Sequence, residues 1–262
     1  MNPPADRRRV TPGIVVRSAL FFILYNLAGI LHSIFCVIIG PFLPFERRYR
    51  FVNLWTVFAM GLLRRLNGVR VHVEGRENLP AGGAVVLSNH QSSWETFFLQ
   101  ILISPQATVL KRELLWLPFF GWGLALLNPI RIDRGKGRAA LKAVLSQGAD
   151  RLGRGIPVVI YPEGSRQSPG TLGHFNHGGA LLACRNRVPV VAMVHNSGDC
   201  WPARSWLRFP GDIVLRVSPP INTTDKDAKT VTRLAEEWIT YHYPGHLNKN
   251  TKRLNLEVTF LS

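Results

Sequence analysis

The chain has 262 residues, 46% of them hydrophobic and only 18% charged, which is apolar-rich for a soluble protein, yet its formal net charge is +16. The long uncharged stretches argue against a nucleic-acid binder and point the positive charge toward anionic lipid or a phosphorylated substrate. Three scattered cysteines, Cys36, Cys184 and Cys200, form no CxxC pair, which argues against a disulfide framework or thiolate zinc site and fits a reducing compartment.

The first element is an uncharged run over residues 18–39. As a helix, at about 1.5 Å per residue, it just crosses a hydrocarbon core of roughly 30 Å. Its apolar positions go all the way round, unlike those of a helix with a single core face. Pro41 and Pro44 end it. A second apolar run, 51–63, sits between Arg50 and Arg64 and is too short to span. Arg7, Arg8, Arg9 and Arg17 precede the first run and Arg47, Arg48 and Arg50 follow it, so the flanks set no inside–outside bias. These features predict an N-terminal helical hairpin (residues 1–66) embedded in the cytoplasmic leaflet of the inner membrane. A single full span is the alternative, and a buried core helix of a soluble protein is the bland reading. No small-x-small cleavage site follows the run, which argues against a secretory signal.

From residue 67 the pattern changes to short β-branched runs alternating with helical ones. Residues 69–73 alternate as a half-exposed strand, and 84–88 form a buried strand. A helix over 95–103 stops at Ser104-Pro105, and a strand at 107–111 precedes an amphiphilic stretch rich in Trp, Pro and Gly at 114–127. Next come a strand at 129–133, a helix at 138–152, a strand at 157–161, a helix at 178–187 and an apolar strand at 189–194. An alternating strand at 212–217 and an amphipathic helix at 226–243 close the series. Strands separated by helices predict an α/β domain over 67–245, with a mixed, mostly parallel sheet flanked by helices. Residues 246–262 form a tail with no assigned element.

Three clusters follow strands, where ligands of open α/β sheets bind. Asn89-His90-Gln91-Ser92-Ser93-Trp94-Glu95 places an imidazole five residues ahead of a carboxylate. A histidine oriented by a carboxylate can draw a proton from a hydroxyl near neutral pH. Arg131-Ile132-Asp133-Arg134 offers arginines, whose planar fork suits phosphate. Tyr161-Pro162-Glu163-Gly164-Ser165-Arg166 adds a carboxylate, another arginine, and a glycine that lets backbone approach a ligand. Singly each cluster is weak, since a histidine before a helix is more often a cap and a lone arginine more often a surface ion pair. A serine hydrolase would need a G-x-S-x-G elbow and a P-loop enzyme G-x-x-x-x-G-K-[ST], and the chain has neither. His174 and His177 form a possible metal pair without an evident third ligand, so no metal is assigned.

Together the clusters resemble the glycerolipid acyltransferase family, in particular its 1-acyl-glycerol-3-phosphate acyltransferases. The family's NHxSxxD, IDR, FPEGTR and apolar proline blocks read here as NHQSSWE at 89–95, IRIDR at 130–134, YPEGSR at 161–166 and VPVVAMV at 188–194. Leu110-Lys111-Arg112-Glu113-Leu114 and the segment 118–123 match the stretch between the first two blocks. The resemblance covers roughly 69–217, in the family's order. It implies that His90 is the general base and Glu95 its orienting carboxylate. It also implies that Arg134, Glu163, Gly164, Ser165, Arg166 and Lys111 bind the acceptor's phosphate and glycerol, and that 188–194 lines the acyl side. Glu95 stands where the family usually has aspartate, so its extra methylene requires the backbone to compensate by about 1 Å. The implied reaction needs no metal or redox cofactor. An acyl group moves from acyl-CoA or acyl carrier protein to lysophosphatidic acid at the membrane, giving phosphatidic acid for phospholipid synthesis. Another lysolipid, such as a lyso-ornithine lipid, is an alternative acceptor. A non-catalytic lipid-binding protein of the membrane surface is the alternative from another class.

Overall fold

The computed structural model describes residues 9–133 and 135–245. The expected tail at 246–262 lies outside them. The chain opens with α1 (Pro12–Ile39), started by Thr11, whose hydroxyl accepts from the Ile14 amide, and by Pro12 in the first turn, where a missing N–H goes unnoticed. Gly40 and Pro41 close it, and α2 (Phe45–Val52) and α3 (Leu54–Asn67) double the chain back so that α3 packs along α1. Trp55 of α3 donates its indole N–H to the Tyr25 carbonyl at 3.0 Å. That approach needs Gly29, because a Cβ there would lie 3.0 Å from the indole nitrogen.

The strands are β1 (Val69–Glu74), β2 (Val85–Ser88), β3 (Ala107–Lys111), β4 (Ile130–Ile132), β5 (Val158–Ile160), β6 (Val190–His195) and β7 (Gly211–Val217). They form one seven-stranded sheet in the order β1-β7-β6-β2-β5-β3-β4. Every pairing is parallel except β6–β7, which gives the mixed, mostly parallel sheet that the alternating pattern predicts. The connecting helices are α4 (Trp94–Leu102), α5 (Phe120–Ala125), α6 (Gly137–Gly153), α7 (Gly178–Asn186), the single turn α8 (Ser197–Cys200) and α9 (Ala228–Tyr241). The amphiphilic stretch after β3 resolves into a 3-10 segment, Arg112–Trp116, followed by α5.

Strand periodicity divides the core in two. Val85 and Leu87 point to one face with Val158, Val190 and Ala192, beneath Val144 of α6, Leu182 of α7 and Val231 of α9. Val86, Val159 and Val191 point to the other, beneath Phe21 of α1, Leu63 of α3, and Trp94 and Phe97 of α4. Both faces being covered, β2 is buried at every residue, as continuous apolar strands of parallel sheets are.

The α1 side is unusual. Val16, Phe22, Ile23, Leu31, Phe35 and Ile38 of α1, with Val57 and Phe58 of α3, are exposed, and Phe42 just beyond α1 is 86% exposed. By length and composition α1 is long and apolar enough to cross a membrane. Yet both of its halves are tied to the sheet domain. Near the amino end, the Ser18 hydroxyl accepts from the Arg208 amide at 2.9 Å and Phe21 packs edge-on against Trp201. Near the carboxyl end, the Ser33 hydroxyl donates to the Phe119 carbonyl, and Leu126 closes over Gly40. Bare apolar area on this scale marks a surface made for lipid or another protein.

β1 is ended by Gly75, whose φ is +75° and where a Cβ would sit 2.3 Å from the Val217 carbonyl oxygen. Because that neighbour is backbone, it has little room to yield. Gly75→Ala is expected to destabilise the β1–β7 edge by about 2 kcal/mol, a drop of roughly 4–8 °C in Tm, read by thermal unfolding in detergent.

Candidate active site

The carboxyl ends of β2, β5 and β6 bring the first and third clusters together. Asn89 pins the edge: its amide donates to the His195 carbonyl at 2.9 Å, and its oxygen accepts from the His195 amide at 3.0 Å. The next residue, His90, is 6% exposed. Its ring stacks on Tyr161 at 4.3 Å between centroids. Its Nδ1 lies 2.8 Å from Glu95 Oε1.

Glu95 is fully buried, at the second position of α4, where the helix dipole favours negative charge. Oε1 accepts from the Gln91 amide at 2.9 Å and the Ser92 amide at 2.8 Å. Oε2 accepts from the Ser92 and Ser197 hydroxyls, both at 2.8 Å, and from the Ser92 amide at 3.1 Å. Burial pushes this carboxyl's pKa up. The neighbouring His195, the bonded His90 and the Ser92 amide outweigh burial and hold it well below the usual carboxylate range. Glu95 is therefore ionised and can only accept, which assigns the Nδ1 proton to His90 and leaves Nε2 as its basic atom. Its oxygens thus meet the turn that opens its own helix, where the two serines grip the far oxygen.

His195 completes the buried cluster. Burial lowers its pKa, the nearby Glu95 charge and its bond to the Asn89 carbonyl opposing this. Its Nε2 lies 3.0 Å from that carbonyl and its Nδ1 faces the Ser197 amide at 3.3 Å.

Glu163 departs from the acceptor-binding role that the resemblance implies. Oε1 accepts from the His90 amide at 2.8 Å and Oε2 from the Gly173 amide at 2.6 Å, so both oxygens are taken up by backbone. Burial raises its pKa to about 7, against the pull of the Gly173 and His90 amides and with the repulsion of Glu95. It fastens the loop after β5 to the loop after β2. Gly164, at φ +70°, makes the left-handed turn that presents Ser165 and Arg166. Neither Glu163 nor Gly164 lines the cavity beside His90.

That cavity, about 890 Å³, runs from His90, Tyr161, Ser165 and Arg166 past Lys111 at the end of β3. It continues between α1, α3, α4 and the segment 114–127, along apolar groups such as Ile30, Leu110 and Phe120. Lys111 and Arg166 are exposed and take no part in any ion pair found among the described residues. Arg134 lies outside the described residues. A third free cation, Arg204, reaches the cavity from the loop after α8. Sequence reasoning missed Arg204, Ser197 and His195. The strand-end rule, applied after β6 as it was after β2 and β5, would have singled out His195-Asn196-Ser197.

An imidazole held by a buried carboxylate, lining a long cavity with apolar walls and three exposed cations, marks this sheet edge as the candidate active site. Residues 70–196 match the family model described as Acyltransferase. The chain is 42% identical to the 1-acyl-sn-glycerol-3-phosphate acyltransferase of Pseudomonas aeruginosa, covering 86% of this chain and 89% of that one. It is 29% identical to the protein of the same name from Cocos nucifera, over 92% of this chain and 77% of the other. The fold matches the crystal structure of the 1-acyl-sn-glycerophosphate acyltransferase of Thermotoga maritima at TM-score 0.73 and 20% identity, covering 87% of this chain and 93% of that one. The chain belongs to the acyltransferase family and is an O-acyltransferase.

Ser197 belongs to none of the four blocks, yet it holds one oxygen of Glu95. A hydrogen bond to a charged group contributes about 1.5–3 kcal/mol. Ser197→Ala is therefore expected to lower kcat about tenfold with KM little changed, and Ser197→Thr to restore most of the loss. Steady-state kinetics checks this, and an unaltered kcat in the alanine variant would show that the Oε2 grip does not position the ring.

Proposed function

We propose that the chain transfers a fatty acyl group from acyl-CoA or acyl carrier protein to the sn-2 hydroxyl of 1-acyl-glycerol-3-phosphate, forming phosphatidic acid. The observation that carries this reading is the one cavity lined by His90, by Lys111, Arg166 and Arg204, which form no ion pair among the described residues, and by apolar walls. A lysophosphatidate offers a phosphate for the cations, a hydroxyl for the base and a chain for the walls. The names of the relatives point the same way.

Nε2 takes the hydroxyl proton as the oxygen attacks the thioester carbonyl, and the C–O bond forms. Glu95 stabilises the imidazolium through Nδ1–H. The tetrahedral intermediate collapses, the C–S bond breaks, and Nε2 returns the proton to the departing thiolate, so the base is regenerated. Lys111, Arg166, Arg204 and, from its place in the family motif, Arg134 hold the phosphate, and Ser165 offers a hydroxyl to the headgroup. Glu163 and Gly164 act through the loop they shape. The acyl donor is already activated, so no cofactor enters this scheme.

For the membrane we propose that α1 and α3 lie embedded in the cytoplasmic leaflet with the catalytic domain in the cytoplasm. Both ends of α1 bind the sheet domain, so a helix crossing the bilayer would carry Trp201 and Phe119 into the hydrocarbon with it.

Purified protein with lysophosphatidate and acyl-CoA should produce phosphatidic acid, and His90→Ala should lose ~10²–10⁴-fold in kcat, the usual contribution of a positioned general base. A wild-type rate in that variant would remove His90 from the mechanism. Arg204→Ala should raise KM for lysophosphatidate about tenfold, as the loss of one charge-assisted contact to phosphate does, while kcat stays within about threefold. A KM unchanged by the substitution would take Arg204 out of the phosphate site.

A further inference from the structure

A second depression, about 560 Å³, lies far from the lipid-facing helices, between α6 and α7. Its floor is the stripe Leu141, Leu145 and Ala149 of α6, four residues apart and so on one helix face. Leu141 is 38% exposed. Arg138 and Lys142 of α6 and Arg185 of α7 form the rim. None of these three cations takes part in an ion pair found among the described residues. The nearby carboxylates are engaged elsewhere, Asp133 facing Lys136, and Asp150 held by Arg151 and Arg154.

Two placements decide what fits. The helices α6, α7 and α9 cover the sheet face opposite the one covered by α1, α3 and α4. A membrane that receives the apolar side of α1 therefore cannot also lie against this groove, and its occupant is soluble. The groove's upper end is also close to the chemistry. α7 begins at Gly178, at the end of the loop that Glu163 fastens to His90, and a Cβ on Gly178 would lie 3.2 Å from Leu141.

We infer that the α6–α7 groove docks the protein-borne form of the acyl donor, an acyl carrier protein, by receiving an acidic amphipathic helix. Its apolar ridge lies along Leu141, Leu145 and Ala149, and its carboxylates meet Arg138, Lys142 and Arg185. This is the helix-in-groove mode of recognition, with rim charges that speed encounter and select the partner. A carrier seated there presents its tethered thioester at the sheet edge that holds His90, while the lysolipid enters from the opposite, membrane side. The inference rests on the acyltransfer reading above and adds which surface the donor uses.

The test combines Arg138→Glu, Lys142→Glu and Arg185→Glu in one variant of the full chain, with Arg185→Glu alone as a milder form. Binding of an acyl carrier protein is measured by titration, and turnover with palmitoyl-carrier and with palmitoyl-CoA on lysophosphatidate. The expected result is at least a tenfold rise in KM for the acyl-carrier and a matching loss of carrier binding. Turnover with acyl-CoA, which also reports a folded enzyme, stays unchanged. Wild-type protein that turns over acyl-CoA but binds no carrier overturns the inference and leaves the acyltransfer reading standing. So does carrier binding that survives charge reversal, or a reversal that instead abolishes binding to anionic vesicles. Equal loss with both donors in the single and triple variants also overturns it. Carrier binding lost on reversal, in a wild-type protein that transfers no acyl group from either donor, overturns the acyltransfer reading alone.

Discussion

The site depends on one buried negative charge. A carboxylate removed from water is strongly unfavourable unless its oxygens are satisfied, and Glu95 is satisfied by an imidazole, two backbone amides and two hydroxyls. Each of these donors serves the reaction by being fixed. The Gln91 and Ser92 amides fix the loop after β2, Ser197 ties that loop to the start of α8, and His90 receives both its orientation and its tautomer. The charge that would be a defect in an ordinary core here organises the ends of two strands around a single imidazole.

Glu163 extends the same logic one strand further. It binds the His90 amide and the Gly173 amide, so the loop after β5 cannot move without pulling on the base. Together the two glutamates lock the ends of β2, β5 and β6. The mouth is built differently. Lys111, Arg166 and Arg204 are exposed and form no ion pair among the described residues, so their charge is available to an anionic ligand.

How far the sequence revealed this follows from what kind of signal each part leaves. Strands β2, β5 and β6 are continuous β-branched runs, and their burial on both faces leaves no other reading. The position of His90 just past β2 and of Glu95 inside α4 follows from that placement, so the pairing of the imidazole with its carboxylate was legible. Glu163 was legible as a functional glutamate but not in its role, since only the fold shows that two backbone amides occupy its oxygens. Ser197 and His195 were hidden because they follow the fourth block, where the apolar run draws attention to packing. Arg204 was hidden because a lone arginine in a Trp- and Pro-rich loop resembles a solvated surface charge until the loop is seen to fold over the cavity.

The N-terminal helices gain their meaning from the same cavity. Asn26, Gly29, Ile30 and Ser33 of α1 and Thr56 of α3 are cavity wall, and Gly29 is small so that Trp55 can close the seam between the two helices. One helix therefore carries both features, with the outer side of α1 bare and apolar and its inner side lining the cavity. An anchor joined by a flexible linker could be removed and leave a working enzyme. Here, removing α1 would open one side of the cavity to water and uncover Trp201 and Phe97. The long apolar run that first suggested a membrane anchor thus also walls the cavity beside His90.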